Sequence, residues 1–207
     1  MTTTWTAPAS ATSEGPFAPV LRLEVGRIRL RPASDDDTGL LYGIASESPA
    51  EWPRVCDRVS PNPVNFMDLL WSDVSALYIA EVDRGLAVGC IGIHRANFRN
   101  ATAWLDAVAV PVPGMTEPLW AATILAAGHA FDTWNLRKLY TIDPDWRPRT
   151  FGGAGSVATE EGRLRDHYLA DGCRWDAVIS AVSREPFIEA RGRLVDDIAT
   201  TFGTVEP

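Results

Sequence analysis

Residues 77–96 read LYIAEVDRGLAVGCIGIHRA, and the rest of the chain is arranged around this stretch. Two runs, Leu77–Val82 and Leu86–Ala96, are strand-like in composition, and the Asp-Arg-Gly tripeptide between them is a hairpin turn signal. Two glycines within the second run predict a bulge or a close approach of another backbone. A further turn leads to ATAWLDAVAV at Ala101–Val110. The stretch therefore predicts three consecutive antiparallel strands.

A helix and a fourth strand are predicted after these three strands. Thr116 is a suitable N-cap for the helix. Apolar residues then recur at intervals of four, three and four, which is the period of an α-helix. This stripe consists of Trp120, Ile124, Ala127 and Phe131. The run Leu136–Ile142 predicts a strand directly after the helix.

The remaining predicted elements flank this centre. Before it the sequence predicts a strand at Arg27–Arg31, a helix at Ser34–Ser48 capped by Ser34, and a second helix at Phe66–Val74. After it the sequence predicts a hairpin from Glu161–Gly172 and Trp175–Arg184, and a final helix with Phe187, Ala190, Leu194 and Ile198 on one face.

In this order the elements resemble the fold of the Gcn5-related N-acetyltransferases (GNAT), over residues 27 to about 187. The resemblance is strongest at the IGIHR segment, Ile91–Arg95, and at the late hairpin, which resembles that of the RimJ/RimL-like branch. The resemblance implies an α+β (α/β) fold with a mixed central sheet of six to seven strands, splayed between strands four and five and flanked by helices. Residues 1–20 are expected to be a disordered lead-in, and residues 21–207 a single domain with an extra C-terminal helix.

Composition limits the classes of function. The 207 residues carry a net charge of −8 with one lysine, which disfavours a protein that mainly tracks a nucleic-acid backbone. A local basic patch is still possible from Arg137, Lys138, Arg147, Arg149, Arg163 and Arg165. Three widely spaced cysteines fit free thiols in a reducing compartment. Without a signal-peptide pattern or a bilayer-length apolar run, we expect a soluble, cytoplasmic protein and no membrane partner.

The activity implied by the resemblance is acyl transfer from a thioester to an amine. In the family the thioester lies in the gap between the splayed fourth and fifth strands, where backbone N–H groups polarise its carbonyl. In this chain the two segments are Ala107–Val110 and Leu139–Ile142. Val108 is the first choice for the N–H donor, and Val110 is a second contact to the donor.

An amine acceptor is mostly protonated at neutral pH, so a general base is expected. Relatives of the RimJ/RimL-like type often have an acidic residue on the fourth strand. Alignment forward from His94 puts Trp104 at that position, whereas alignment back from Pro113 puts Asp106 there. These two share a strand face, and Asp106 is our candidate base, with a solvated carboxylate as the alternative. Further candidates are His94, His167, Tyr168 and, more weakly, Glu81.

The loop before the central helix departs from the family pattern. The family grips the coenzyme A pyrophosphate with Arg/Gln-x-x-Gly-x-Gly/Ala, whereas this chain has PVPGMTEP at Pro111–Pro118, four to six residues shorter. Its three prolines lack N–H donors, and Glu117 adds a negative charge. The remaining candidates for contact with the donor are Gly114, Met115 and Thr116.

The segment between the fifth and sixth strands also departs. The family has a helix there that opens with an Asn facing the pantetheine arm, and Trp146 takes that position here. The glycine-rich residues 152–156 (GGAGS) make a poor helix and predict a flexible loop. No lysine follows them, so they are not a Walker-type phosphate loop.

Three functions therefore stay open. The first is an N-acyltransferase that uses acetyl-CoA, or another acyl thioester, and acts on the amine of a small molecule or peptide. The second is a transferase of specialised metabolism whose donor is a carrier-protein thioester or an aminoacyl-tRNA. The third is a non-catalytic binding module. The spacing of histidines and cysteines predicts no metal site, and a homodimer is possible. Three aromatic residues either shape an acceptor pocket or pack in the core: Trp52, Phe66 and Trp71.

Overall fold

The computed structural model describes residues 23–47, 63–83, 85–151 and 157–203. Its strands are β1 Leu23–Val25, β2 Ile28–Pro32, β3 Val74–Val82, β4 Leu86–Asn97, β5 Thr102–Ala109, β6 Lys138–Pro144, β7 Ala158–Ala170 and β8 Cys173–Ser183. Its α-helices are α1 Thr38–Glu47, α2 Pro63–Asp73, α3 Thr116–Trp134 and α4 Arg184–Thr201. The predicted lead-in, Trp52 and the GGAGS loop lie outside the described residues.

The strands form one mixed sheet in the order β1-β2-β3-β4-β5-β6-β8-β7. Neighbouring strands are antiparallel except β5 and β6, which are parallel because α3 connects them as a crossover. The predicted fold class is confirmed. The sheet has eight strands rather than six or seven, because β1 pairs with β2 at the edge. A strand of three residues is too short to give a readable pattern.

The parallel strands β5 and β6 separate after a short paired section. Their register begins at Thr102 and Lys138 and ends where Trp104 meets Tyr140. The rings of this last pair lie 5.3 Å apart between centroids and close that end of the gap. Beyond it β5 continues along β4, and β6 continues along β8. The predicted splay is therefore present.

Helices cover both faces of the sheet. α3 lies against β2 to β5 on one face and carries α4 on its outer side, so it is buried along most of its length. The predicted stripe is inside, with Ile124, Ala127 and Phe131 buried and Trp120 half-buried. α1 and α2 pack on the opposite face in a second apolar cluster. Among the described helices, none is long and apolar enough to cross a membrane.

The predicted start of α3 was wrong by one residue. Met115 occupies the N-cap position, and Thr116 is already the first helical residue. Gly114 has φ +86°, and Met115 then has φ −86° and ψ −8°. The chain thus reaches helical geometry before Thr116, so its hydroxyl does not cap the helix.

Two other boundaries moved for local reasons. α2 begins at Pro63, three residues before the predicted start, because proline suits the first turn of a helix. The following strand then begins at Val74 instead of Leu77. At the end of α3, Asn135 takes the left-handed conformation (φ 49°, ψ 37°), so β6 begins at Lys138.

Ser34 caps a single 3-10 turn that leads into α1, as predicted for the first helix. The Asp37 carboxylate accepts hydrogen bonds from the Ser34 backbone N–H at 2.8 Å and from two guanidinium nitrogens of Arg31 at 2.7 and 2.8 Å. The same guanidinium donates to Glu81 on β3 at 2.7 Å. These bonds tie the start of α1 to β2 and β3, and they give Glu81 a structural partner.

The close backbone approach predicted for β4 occurs at Gly89. A Cβ atom there would lie 2.4 Å from the carbonyl oxygen of Val108 on β5. A register shift between Ala80 and Glu81 on β3 accompanies it. β4 therefore needs glycine at this point to let β5 lie close, immediately beside the gap.

Candidate active site

A cavity of about 550 Å³ opens on the α3 side of the gap between β5 and β6. This volume is in the range of small-molecule sites. β5 contributes Ala107 and Ala109 to the wall, and α3 contributes Thr116 and Trp120. The opposite wall is formed by residues 147–150, including Arg147 and Arg149. The cavity occupies the place where the sequence predicted a thioester.

The amides that face the gap are not the ones we predicted. The Val110 N–H donates to the Val88 carbonyl on β4 at 3.0 Å. Because backbone amides alternate in direction along a strand, the Val108 amide also points toward β4. The amides of Ala107 and Ala109 therefore point toward β6. The Val108 amide, our first choice for the N–H donor, therefore faces β4, and its contact with a thioester stays an untested prediction.

The loop before α3 offers few amides to an anion. The Val112 N–H donates to the Val110 carbonyl at 2.7 Å, and the Met115 N–H donates to the Val112 carbonyl at 3.4 Å. Thr116 lines the cavity, whereas the other two predicted contacts in this loop, Gly114 and Met115, do not. Glu117 lines it as well.

His94 and Asp106 form a buried pair on the other face of the gap. His94 Nε2 lies 2.7 Å from Asp106 Oδ2, and the two residues are 6% and 0% exposed. Gly92 is the register partner of Asp106, so His94 stands two residues along β4 on the same face. The Asp106 carboxylate can accept a hydrogen bond from Nε2–H, and Nδ1 is then the ring nitrogen that does not contact Asp106. Two separately predicted candidates are thus in direct contact.

Tyr168 and Trp146 meet in an aromatic cluster with Trp175. The ring of Trp146 lies 5.8 Å from that of Tyr168 and 5.3 Å from that of Trp175, between centroids. His167 contacts Tyr168 at 5.1 Å. Trp146 is not among the residues that line the cavity. Its predicted place on the pantetheine side is therefore not supported.

The aromatic cluster shares a sheet face with the buried pair. Trp104 is paired with Tyr140, and residues two apart on a strand share a face. On β6, Tyr140 and Pro144 lie on the same face, and Pro144 is paired with Ala177 on β8. Trp175 lies two residues before Ala177, so it is on this face too, and it is paired with Tyr168 on β7. This face is opposite to that of the cavity.

Three of the six residues in the predicted basic patch form ion pairs with carboxylates. Lys138 lies 2.5 Å from Glu161, and Arg149 lies 2.5 Å from Glu160. Arg163 lies 3.3 Å from Asp145 and 3.4 Å from Asp176. Of the six cationic residues, Arg147 and Arg149 line the cavity. The sequence grouped these arginines by proximity in the chain and did not indicate which two face the gap.

The other predicted aromatic residues have different environments. Phe66 is 1% exposed and meets Tyr42 edge-on at 5.4 Å, so it packs in the core under α1. Trp71 is 39% exposed on α2. Within the described ranges, no group of three or more His, Cys, Asp or Glu residues is arranged to hold a metal ion.

Comparison with known proteins supports the fold. No protein-family model matches the sequence, and comparison with curated proteins gives no match. The spermidine N-acetyltransferase of Vibrio cholerae, solved with CoA and spermine, has a TM-score of 0.64 at 14% identity, covering 78% of this chain and 98% of that one. A second solved structure, described only in general terms as an acetyltransferase, has a TM-score of 0.63 at 18% identity, covering 86% and 93%. The chain therefore has the GNAT fold of N-acetyltransferases.

Proposed function

We propose that this protein is an N-acyltransferase that moves an acyl group, in the first instance acetyl, from a coenzyme A thioester to an amine of a small molecule or peptide. The observation that carries the proposal is the cavity at the gap, toward which the Ala107 and Ala109 amides point. A thioester carbonyl placed there would accept hydrogen bonds from amides that β4 does not use. Such fixed donors stabilise the charge that develops on the carbonyl oxygen.

The buried pair supplies the proton chemistry in this proposal. The amine loses a proton to His94 Nδ1, while Asp106 holds Nε2–H and stabilises the imidazolium. The free amine then attacks the thioester carbonyl carbon, so a C–N bond forms and the C–S bond breaks. The nitrogen releases its second proton to the departing thiolate, which leaves as a thiol. Asp106 is fully buried. We therefore assign the role of general base to His94 and not, as the sequence suggested, to Asp106.

The two substrates approach from opposite faces. Asp106 and Ala107 are adjacent on β5, and their side chains point to opposite sides of the sheet. The donor therefore lies on the α3 side, and the amine lies on the side of the buried pair and the aromatic cluster. Tyr168 and Trp146 then belong to the acceptor side, where aromatic faces suit a cationic or apolar amine.

Acetyl-CoA is our preferred donor over a carrier protein or an aminoacyl-tRNA. Two arginines line the cavity, and the Vibrio cholerae spermidine N-acetyltransferase was solved with CoA. Arg163, one of the arginines that might hold tRNA, is engaged with Asp145 and Asp176. An open cavity argues against the non-catalytic module, in which the cleft would be filled. The spermine in that neighbour and the net charge of −8 both favour a cationic amine.

The proposal is tested by incubating the full chain with acetyl-CoA and a panel of polyamines, amino sugars and peptides. We expect release of free coenzyme A thiol that depends on one class of amine, with mass spectrometry showing one added acetyl group. His94→Gln serves as the matched variant and should abolish the amine-dependent rate. Equal rates in the wild type and His94→Gln would overturn the assigned chemistry.

A further inference from the structure

We propose that Arg147, with Arg149 beside it, binds the phosphate of the donor from the segment after β6. This inference rests on the proposed function, because it assigns the donor contact of the same cavity. The ligand chemistry is the phosphate ester of a pantetheine thioester. Free coenzyme A carries it, and so does phosphopantetheine on a carrier protein. In the family, backbone amides before α3 bind the phosphate. In this chain, guanidinium groups on the facing wall of the cavity bind it instead.

The loop before α3 is poorly suited to hold an anion by itself. Prolines at 111, 113 and 118 have no N–H, and the Val112 and Met115 amides are hydrogen-bonded within the turn. Glu117 also lines the cavity and repels an anion. Thr116 lines it at the start of α3, where the partial positive charge of the helix remains available. A cation on the facing wall would compensate for the missing amides.

The segment that carries the arginines is fixed in place without being a helix. The Asp143 carboxylate accepts hydrogen bonds from the Thr150 backbone N–H at 3.1 Å and from the Thr150 hydroxyl at 2.6 Å. The Arg147 N–H donates to the Pro144 carbonyl at 3.2 Å. Phe151 ends the segment with a side chain that is 1% exposed in the main core. The backbone on both sides of the two arginines is therefore held.

The burial of the wall residues points to Arg147 as the principal contact. The side chain of Arg149 is 40% exposed. Arg147 is half-buried, so its charge is screened less by solvent. A guanidinium presents several N–H donors in a fork that matches phosphate oxygens. Arg147 and the start of α3 would hold a phosphate between them.

The test uses a series of three donors that differ in phosphate content: acetyl-CoA, acetyl-phosphopantetheine and acetyl-pantetheine. Their dissociation constants are measured by calorimetry for the wild type, Arg147→Gln, Arg149→Gln and the control Arg193→Gln, an exposed residue of α4 outside the cavity. We expect the wild type and Arg193→Gln to bind acetyl-CoA at least about tenfold more tightly than acetyl-pantetheine. Arg147→Gln should lose most of that preference, and Arg149→Gln a smaller part.

The outcomes separate the two levels of the proposal. If the wild type binds acetyl-pantetheine as tightly as acetyl-CoA, or if both glutamine variants keep the full preference, the phosphate contact is refuted while acyl transfer stands. If the wild type binds none of the three donors, the proposed function itself fails. Because the donor series on the wild type needs no variant, poor folding of Arg147→Gln would not block the test. Equal binding of the two phosphate-bearing donors supports the contact and favours a carrier protein as the source.

Discussion

His94 Nε2 lies 2.7 Å from Asp106 Oδ2 across two antiparallel strands, and both side chains are almost completely buried. The contact exists because the β4–β5 register puts Gly92 opposite Asp106, which leaves room on the shared face for the ring of His94. A buried carboxylate is costly unless it is hydrogen-bonded. The pair therefore fixes the orientation of the imidazole immediately beside the gap.

Asp106→Asn should lower kcat for acetyl transfer by roughly 100-fold or more, because the ring loses its negative partner. The dissociation constant for acetyl-CoA should stay unchanged, since the cavity lies on the other face. Stopped-flow thiol detection gives the first quantity and calorimetry the second. If His94→Gln and the double variant fall to the same level as Asp106→Asn, the two residues act as a unit. Full activity in Asp106→Asn would exclude the pair from the reaction.

Gly89→Ala should reduce the free energy of unfolding by about 1–3 kcal/mol, because the new Cβ would lie 2.4 Å from the Val108 carbonyl oxygen. It should also weaken acetyl-CoA binding, since β5 must shift. Gly43→Ala is the control, because a Cβ in that position of α1 meets nothing within 4 Å. That control should stabilise the protein by about 0.5–1 kcal/mol. Urea unfolding that ranks the two variants the other way would refute this account of β4.

Trp120→Phe should weaken acetyl-CoA binding roughly twofold to tenfold, the value of one hydrogen bond. The Trp120 indole N–H is buried, has no hydrogen-bond partner within the described part of the chain, and belongs to a side chain that lines the cavity. Trp134→Phe, at the far end of α3, is the matched control and should leave binding unchanged. The same affinity in Trp120→Phe and Trp134→Phe would show that the indole N–H does not meet the donor.

Asp37→Asn should destabilise the protein by about 2 kcal/mol at pH 7 and much less at low pH. Hydrogen bonds from Arg31 lower the pKa of the Asp37 carboxyl below its ordinary value. A lowered pKa in the folded state stabilises the protein above the unfolded pKa of about 4, and the contribution is lost as the pH falls through the folded pKa. Urea midpoints at several pH values test this, with exposed Asp36→Asn as control. A difference that stays constant down to the lowest pH would contradict it.

The sequence predicted most of the elements because their signals are local. The turn signal between β3 and β4 and the period of α3 depend on neighbouring residues. As expected, Val82 pairs with Leu86 across the hairpin, and α3 is helical over the predicted stripe. β1 was missed because it is stabilised by pairing with β2 and not by its own pattern. Boundaries such as the start of α3 moved by one to three residues where a backbone conformation, as at Gly114, decided them.

The sequence nominated candidate site residues one by one, but it did not predict how they are arranged. His94 and Asp106 were both candidates, yet their contact depends on the register of β4 and β5. The direction of the Val108 amide depends on which strand lies beside it, and the position of Trp146 depends on its contact with Trp175. Such properties follow from strand pairing and side-chain packing, which a single sequence does not encode locally.

We propose above all that the gap between β5 and β6 holds an acyl-CoA thioester. The most direct measurement is calorimetric titration of the full chain with acetyl-CoA, alongside Ala109→Phe, which places a large side chain in the cavity wall. We predict binding in the micromolar range for the wild type and loss of binding for Ala109→Phe, with its thermal unfolding midpoint checked separately. Absence of binding by the wild type at millimolar acetyl-CoA, or unchanged binding by Ala109→Phe, would contradict the account.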